Sequence, residues 1–154
     1  MKVNVAKHNA IGLAVLLVCG APLAQADNCK GVDVLVTQTA ETTALADNHT
    51  ITIWKAHSVL VSPDSVYDNM AGECSGAILS TPDGKTQAMG YCARRDKDGD
   101  TASISWHQAA GADKGMWKST GGTGKFANRT DSGWYQAAMA DGAMSTTVWG
   151  GTCR

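Results

Sequence analysis

The chain has 154 residues, 44% of them hydrophobic and 18% charged, with a formal net charge of -1, enough for one domain around one core. With no basic tract it offers no electrostatic footprint for a phosphate backbone, which excludes nucleic acid as a partner. No apolar run reaches the roughly 20 residues of a membrane-crossing helix, so no span is expected.

Residues 1–9 carry Lys2, Lys7 and His8 and no acid, and the apolar run 10–18 follows. Gly20, Ala21 and Pro22, then Ala24-Gln25-Ala26, complete the pattern of a Sec-type export signal cut before Asp27. The expected organisation is a cleaved signal peptide over 1–26 and one domain over 27–154, periplasmic or secreted. Loss of Lys2 and Lys7 takes the net charge from -1 to -3. Cys19, after Leu16-Leu17-Val18, is the alternative as a lipidation site, against which the bulk of Val18 speaks. Four cysteines remain, Cys29, Cys74, Cys92 and Cys153. An even number in an oxidising compartment predicts two disulfides. Without any C-x-x-C pair, these cysteines are not expected to hold a metal.

From residue 29 onward the apolar residues fall in short β-prone runs between turn residues. Strands are predicted near 32–38, 49–61, 75–81, 85–94, 101–108, 115–119, 133–139 and 145–151. The segment 62–73, with Tyr67 and Met70, has no periodicity and reads as a long loop suited to capping a cavity. Thr81-Pro82-Asp83-Gly84 marks one hairpin, and Asp98-Gly99 marks a second as a two-residue loop. A first turn centred on Asp83 sets Cys74 opposite Cys92, within disulfide reach, and Ala77 opposite Met89. That pairing leaves Cys29 to Cys153, a bond joining the first strand to the last, as closure of a barrel requires and as a sandwich with adjacent termini would also satisfy. The expected fold is all-β, a small antiparallel eight-stranded β-barrel with two disulfides.

The Asp98-Gly99 loop, taken as two residues, sets Tyr91 opposite Trp106 and Ala93 opposite Ile104. One face is then large and apolar. The other carries Gly76, Ala88, Gly90, Cys92, Ser103, Ser105 and His107, and which of the two lines the interior stays open. Asp96, Asp98 and Asp100 resemble the start of a calcium loop, but Gly99 stands at the fourth position instead of the sixth and His107 replaces the bidentate acid, so a charged hairpin tip is the expectation. Gly121-Gly122-Thr123-Gly124-Lys125 lacks the spacing of a phosphate loop and reads as a glycine-rich bend between strands. His49 and His57, eight residues apart on one strand, are over about 20 Å apart and share no metal.

Residues 72–133 carry Gly72-Glu73-Cys74-Ser75-Gly76, Gly90-Tyr91-Cys92, Asp96-Lys97-Asp98-Gly99-Asp100, Trp117 and Gly121-Gly122-Thr123-Gly124-Lys125-Phe126-Ala127. This pattern resembles bacterial secreted members of the allene oxide cyclase and dirigent-type barrel superfamily. Asn128 stands where the pattern usually has Gly. The resemblance implies an eight-stranded antiparallel barrel whose cavity holds small apolar molecules or steers their cyclisation or coupling, and it carries no catalytic residue over to this chain. The expected function is binding of a small apolar or aromatic molecule, without cofactor or metal. Tyr91, Trp106, His107 and Tyr67 are the candidate ligand residues. Two alternatives stand beside it: a cyclase or isomerase in which His107, Glu73 or Tyr91 moves a proton, and an interaction module with a barrel filled by its own side chains.

Overall fold

Each predicted run has one apolar face to bury and a neighbouring run one turn away to bury it against. In the computed structural model, which describes residues 28–154, eight strands close into a barrel in simple chain order, all neighbours antiparallel and the last paired with the first. They are β1 (Cys29–Ala44), β2 (Thr50–Val61), β3 (Ala71–Ser80), β4 (Thr86–Arg95), β5 (Thr101–Gln108), β6 (Gly115–Gly122), β7 (Ser132–Asp141) and β8 (Met144–Thr152). All eight expected strands form. The largest differences are β1, which runs on to Ala44 as a ribbon with β2, and β3, which begins at Ala71 inside the expected loop. The expected leader over 1–26 and Cys19 lie outside the described residues. Among the described residues no helix is long and apolar enough to cross a membrane.

The two hairpins that flank β4 have the same construction, and this corrects one of the expected registers. Between β3 and β4, Thr81 N donates to Lys85 O at 2.9 Å around the three residues Pro82, Asp83 and Gly84. Cys74 therefore pairs with Cys92 and Ala77 with Met89. Between β4 and β5, Asp96 N donates to Asp100 O at 3.0 Å around Lys97, Asp98 and Gly99, with Gly99 at φ +91°. The Asp96 carboxylate accepts from the amides of Asp98 and Asp100, both at 2.9 Å, and so holds a three-residue loop where two residues were expected. One added residue shifts the register by one and reverses faces. Tyr91 is opposite Ser105, Gly90 opposite Trp106 and Cys92 opposite Ile104. Tyr91 and Trp106 thus stand on opposite sides of the sheet.

This register gives the interior its complementarity. The small face of β3 and β4 turns inward and receives the large residues of β5. A Cβ on Gly76 would lie 2.5 Å from Cζ2 of Trp106, and one on Gly90 would collide with the same ring. Trp117 lies in the same way over Gly133 and Gly151, where a Cβ would come within 2.8 Å of its indole, and Tyr135 lies over Gly115. Glycine on one strand makes the berth for an aromatic ring on the next. Substitution Gly90→Val is expected to expel Trp106 from its berth at a cost of about 1 to 3 kcal/mol, read as a lower urea midpoint at unchanged m-value.

Both predicted disulfides are present. Cys74–Cys92 joins directly opposed residues, and Cys29–Cys153 spans 5.9 Å between Cα atoms at the seam where β1 meets β8. Two disulfides are consistent with residence in an extracellular or otherwise oxidising compartment.

Candidate functional site: a cavity inside the barrel

The antiparallel order puts both described chain ends and the connections 62–70, 96–100 and 123–131 at one end of the barrel. That end is plugged. Tyr67 and Met70, from the β2–β3 connection, are buried with Phe126. Tyr67 stacks on Phe126 at 5.6 Å and meets Trp117 and Trp149 edge-on, each at 6.2 Å between ring centroids. Its hydroxyl donates to Oδ2 of the buried Asp131 at 2.5 Å, and Asp131 also receives Nε of Arg129 and the amide of Arg154. Burial, with the Asp131 carboxylate beside it, pushes the Tyr67 hydroxyl above the usual phenol range, so it remains a donor.

Above the plug the strands enclose a cavity of about 190 Å³. Six aromatic side chains stand in its wall: among them, Trp54 stacks on Trp106 at 5.6 Å, and Trp106 meets Tyr135 edge-on at 6.2 Å. These three rings and Leu35 are half-buried, whereas Leu60, Trp117 and Trp149 deeper down are buried, so the cavity opens away from the plug. Three buried polar atoms have no hydrogen-bond partner among the described residues and belong to residues of this wall: Nε1 of Trp54, Nε1 of Trp149 and the hydroxyl of Tyr135. Buried donors are ordinarily satisfied. Burial raises the Tyr135 hydroxyl to about 12, which keeps its proton in place at neutral pH.

One side of the wall is charged. Arg94 donates from Nη2 to Asp33 Oδ2 at 2.5 Å and from Nε to Ser58 Oγ at 2.7 Å, and the Ser58 hydroxyl donates to Asp33 Oδ1 at 2.6 Å. All three residues are buried. Burial pushes the Asp33 carboxyl up and the Arg94 guanidinium down, each opposed by the charge of the other. A neutral, closed ring of charge-assisted bonds thus borders an otherwise apolar space.

The sequence-derived candidates divide. Trp106 and Tyr67 line the cavity, while Tyr91, 66% exposed, and His107 stand on the outer face. Glu73 is outside as well, 3.0 Å from Nδ1 of His57. Asp33, Ser58, Arg94 and Tyr135 were not singled out from the sequence. Arg94 was within reach of sequence reasoning, since it lies two residues from Cys92 and so shares its face. Asp96, Asp98 and Asp100 form the charged hairpin tip: the Lys125 ammonium pairs with Asp96 and, at 3.2 Å, with Asp98, and the Asp100 carboxylate accepts the Lys125 amide at 3.2 Å. The glycine-rich segment is a bend that seats Phe126 against Gly122.

No family model and no curated protein matches this chain. Among solved structures it is similar to a pterocarpan synthase dirigent protein, with a TM-score of 0.50 and 15% identity over 79% of this chain and 80% of that one. At that identity the likeness is one of fold, and the fold is a barrel of dirigent type.

Proposed function

We propose that this dirigent-type barrel is an exported protein that binds a small aromatic molecule in its interior, with no cofactor. The observation that carries the proposal is the cavity of about 190 Å³ lined by six aromatic side chains, three of which carry a buried polar atom without a partner among the described residues. An apolar cavity of about 150 Å³ accommodates benzene, so a ligand of one or two rings suits this volume. Trp54, Trp106 and Tyr67 would face its rings, and the hydroxyl of Tyr135 and the indole of Trp54 would donate to its oxygen atoms. The cavity speaks against the filled-barrel alternative. Tyr91 and His107 are no part of this site.

Native mass spectrometry of chain exported to an oxidising periplasm tests the proposal. Expected is a polypeptide that begins at Asp27 and is four hydrogens short of the reduced mass, with an organic mass released on denaturation. A barrel that carries no ligand, and whose tryptophan fluorescence is indifferent to one- and two-ring phenols at millimolar concentration, would sink the binding proposal. Substitution Tyr135→Phe is expected to leave stability unchanged or raise it by up to about 1 kcal/mol, because it removes a buried unpaired hydroxyl. The same change weakens ligand binding about tenfold, the equivalent of one hydrogen bond at about 1.4 kcal/mol, as a fluorescence titration would read.

A second reading, a cyclase or isomerase, rests on Asp33, an acid raised by burial that borders the cavity. His107, Glu73 and Tyr91 would have no part in it. Recovery of the bound molecule with its bonding rearranged supports the enzyme, and recovery unchanged supports binding alone.

A further inference from the structure

Four side chains stand in one row across the outer face of the barrel. Met89 of β4 is directly opposite His107 of β5, His107 is opposite Met116 of β6, and Met116 is opposite Trp134 of β7. Met89 is 54% exposed and Met116 49%, and His107 between them is exposed. Their chain neighbours Gly90, Trp106 and Trp117 face the interior, which keeps the row on the outside. Methionine is ordinarily a buried residue, and Met70 of this chain is buried completely. Met139 and Met144 are exposed too, at 47% and 38%; what sets Met89 and Met116 apart is the imidazole that stands directly between them.

The three described histidines differ in their commitments. His49 Nδ1 is 3.3 Å from the Ala46 carbonyl oxygen, and His57 Nδ1 is 3.0 Å from Glu73 Oε1. The ring of His107 makes no hydrogen bond or ion pair with any described residue, so both nitrogens are open to a ligand. Adjacent strands lie about 4.8 Å apart, and a methionine side chain turns about three bonds. Both sulfur atoms can therefore converge on an ion held by the ring between them.

We infer that Met89, His107 and Met116 form a surface site for a soft monovalent cation, Cu(I) or Ag(I). Thioether sulfur is uncharged and polarizable, a poor ligand for calcium, magnesium or zinc and a good one for Cu(I), and imidazole accepts the same ion. All four described cysteines are in disulfides, so thioethers are the soft sulfur ligands this barrel has left. The row contains no carboxylate. Lys118 lies two residues from Met116 on the same face, and the Lys114 ammonium lies 4.2 Å from the centroid of the Trp134 ring. Those positive charges count against a divalent ion and more weakly against a monovalent one. The Trp134 ring already faces one cation, and the site does not depend on it. The site lies on the opposite side of the sheet from the cavity wall and shares no residue with it.

Silver(I) is the first probe, because it needs no reductant. The full chain carrying Cys19→Ser, which removes the one cysteine outside the disulfides, is titrated with silver nitrate in a chloride-free buffer, and the methionine methyl signals are followed by proton–carbon correlation. Expected is one Ag(I) per barrel by native mass, with shifts confined to the methyl groups of Met89 and Met116. Substitutions Met89→Leu, His107→Ala and Met116→Leu each lower affinity by more than the roughly tenfold that loss of even an outer-shell partner costs. A Met139→Leu/Met144→Leu control keeps full affinity. Cu(I), offered anaerobically against a chromophoric chelator, follows the same order, and excess zinc does not displace it. The substituted side chains are exposed, and an unchanged far-ultraviolet spectrum shows that the barrel is intact. Failure to bind Ag(I) at micromolar concentration, or equal affinity in the triple variant, overturns the inference.

Discussion

Replacing Cys29 and Cys153 together by serine is expected to lower the unfolding free energy by about 5 kcal/mol. The bond closes a loop of sequence separation 124, and the chain entropy it withholds from the unfolded state grows with the logarithm of that length. It also acts where the barrel closes: Cys29 pairs with Gly151, and the backbone of Cys153 donates at 2.6 Å to the side chain of Asn28. Removing it frees the end of the β1–β8 seam where Cys29 meets Gly151. The Cys74–Cys92 bond spans only 18 residues between strands already paired by a tight turn, and its double alanine variant is expected to lose about 3 kcal/mol. Guanidinium unfolding without reductant checks the order. A larger loss from the Cys74–Cys92 variant would mean that barrel closure does not rely on the terminal bond.

Substitution Arg94→Ala is expected to cost about 3 to 5 kcal/mol, the usual penalty for leaving a buried charge without its partner. Asp33 would keep Ser58 and lose the guanidinium that opposes its desolvation. With its folded-state pKa then further above the unfolded value, Asp33 contributes stability that is present below the unfolded pKa and lost as pH rises through the folded one. The deficit of the variant is therefore larger at pH 7 than at pH 4. The double variant Asp33→Leu/Arg94→Met, which fills the space with apolar atoms, should match the parent within about 1 kcal/mol or exceed it. If that double variant is stable but no longer retains the cavity's ligand, the pair serves recognition. A double variant as unstable as Arg94→Ala would refute the assignment of the loss to an orphaned charge.

Much of the fold was legible because it is written in local chemistry. Pro82 and Gly84 shape the β3–β4 turn, the turn sets the register, and the register brings Cys74 to Cys92. The remaining pair, Cys29 and Cys153, then implies a first strand beside a last one. Tyr67 and Met70 were legible as a cap because the segment that carries them has no strand alternation. The second hairpin was misread by one residue, since the Asp96 carboxylate gathers two amides and lengthens the loop. That single residue decided whether Tyr91 or Gly90 meets Trp106.

The amino-acid sequence by itself determined the class of fold, the strand count, both disulfides and the part of Tyr67 and Met70 in the plug, because turn chemistry, side-chain alternation and cysteine number act over short stretches of chain. Only the tertiary structure decided which face is inside. That choice is collective: the rings of Trp106, Trp117 and Tyr135 fit only where glycines of adjoining strands leave room for them. Closure likewise assembled Asp33, Ser58 and Arg94, whose separations of 25, 36 and 61 residues no local pattern spans. It set Met89, His107 and Met116 in one row for the same reason, because side chains distant in sequence become neighbours only when the register of every intervening strand is right.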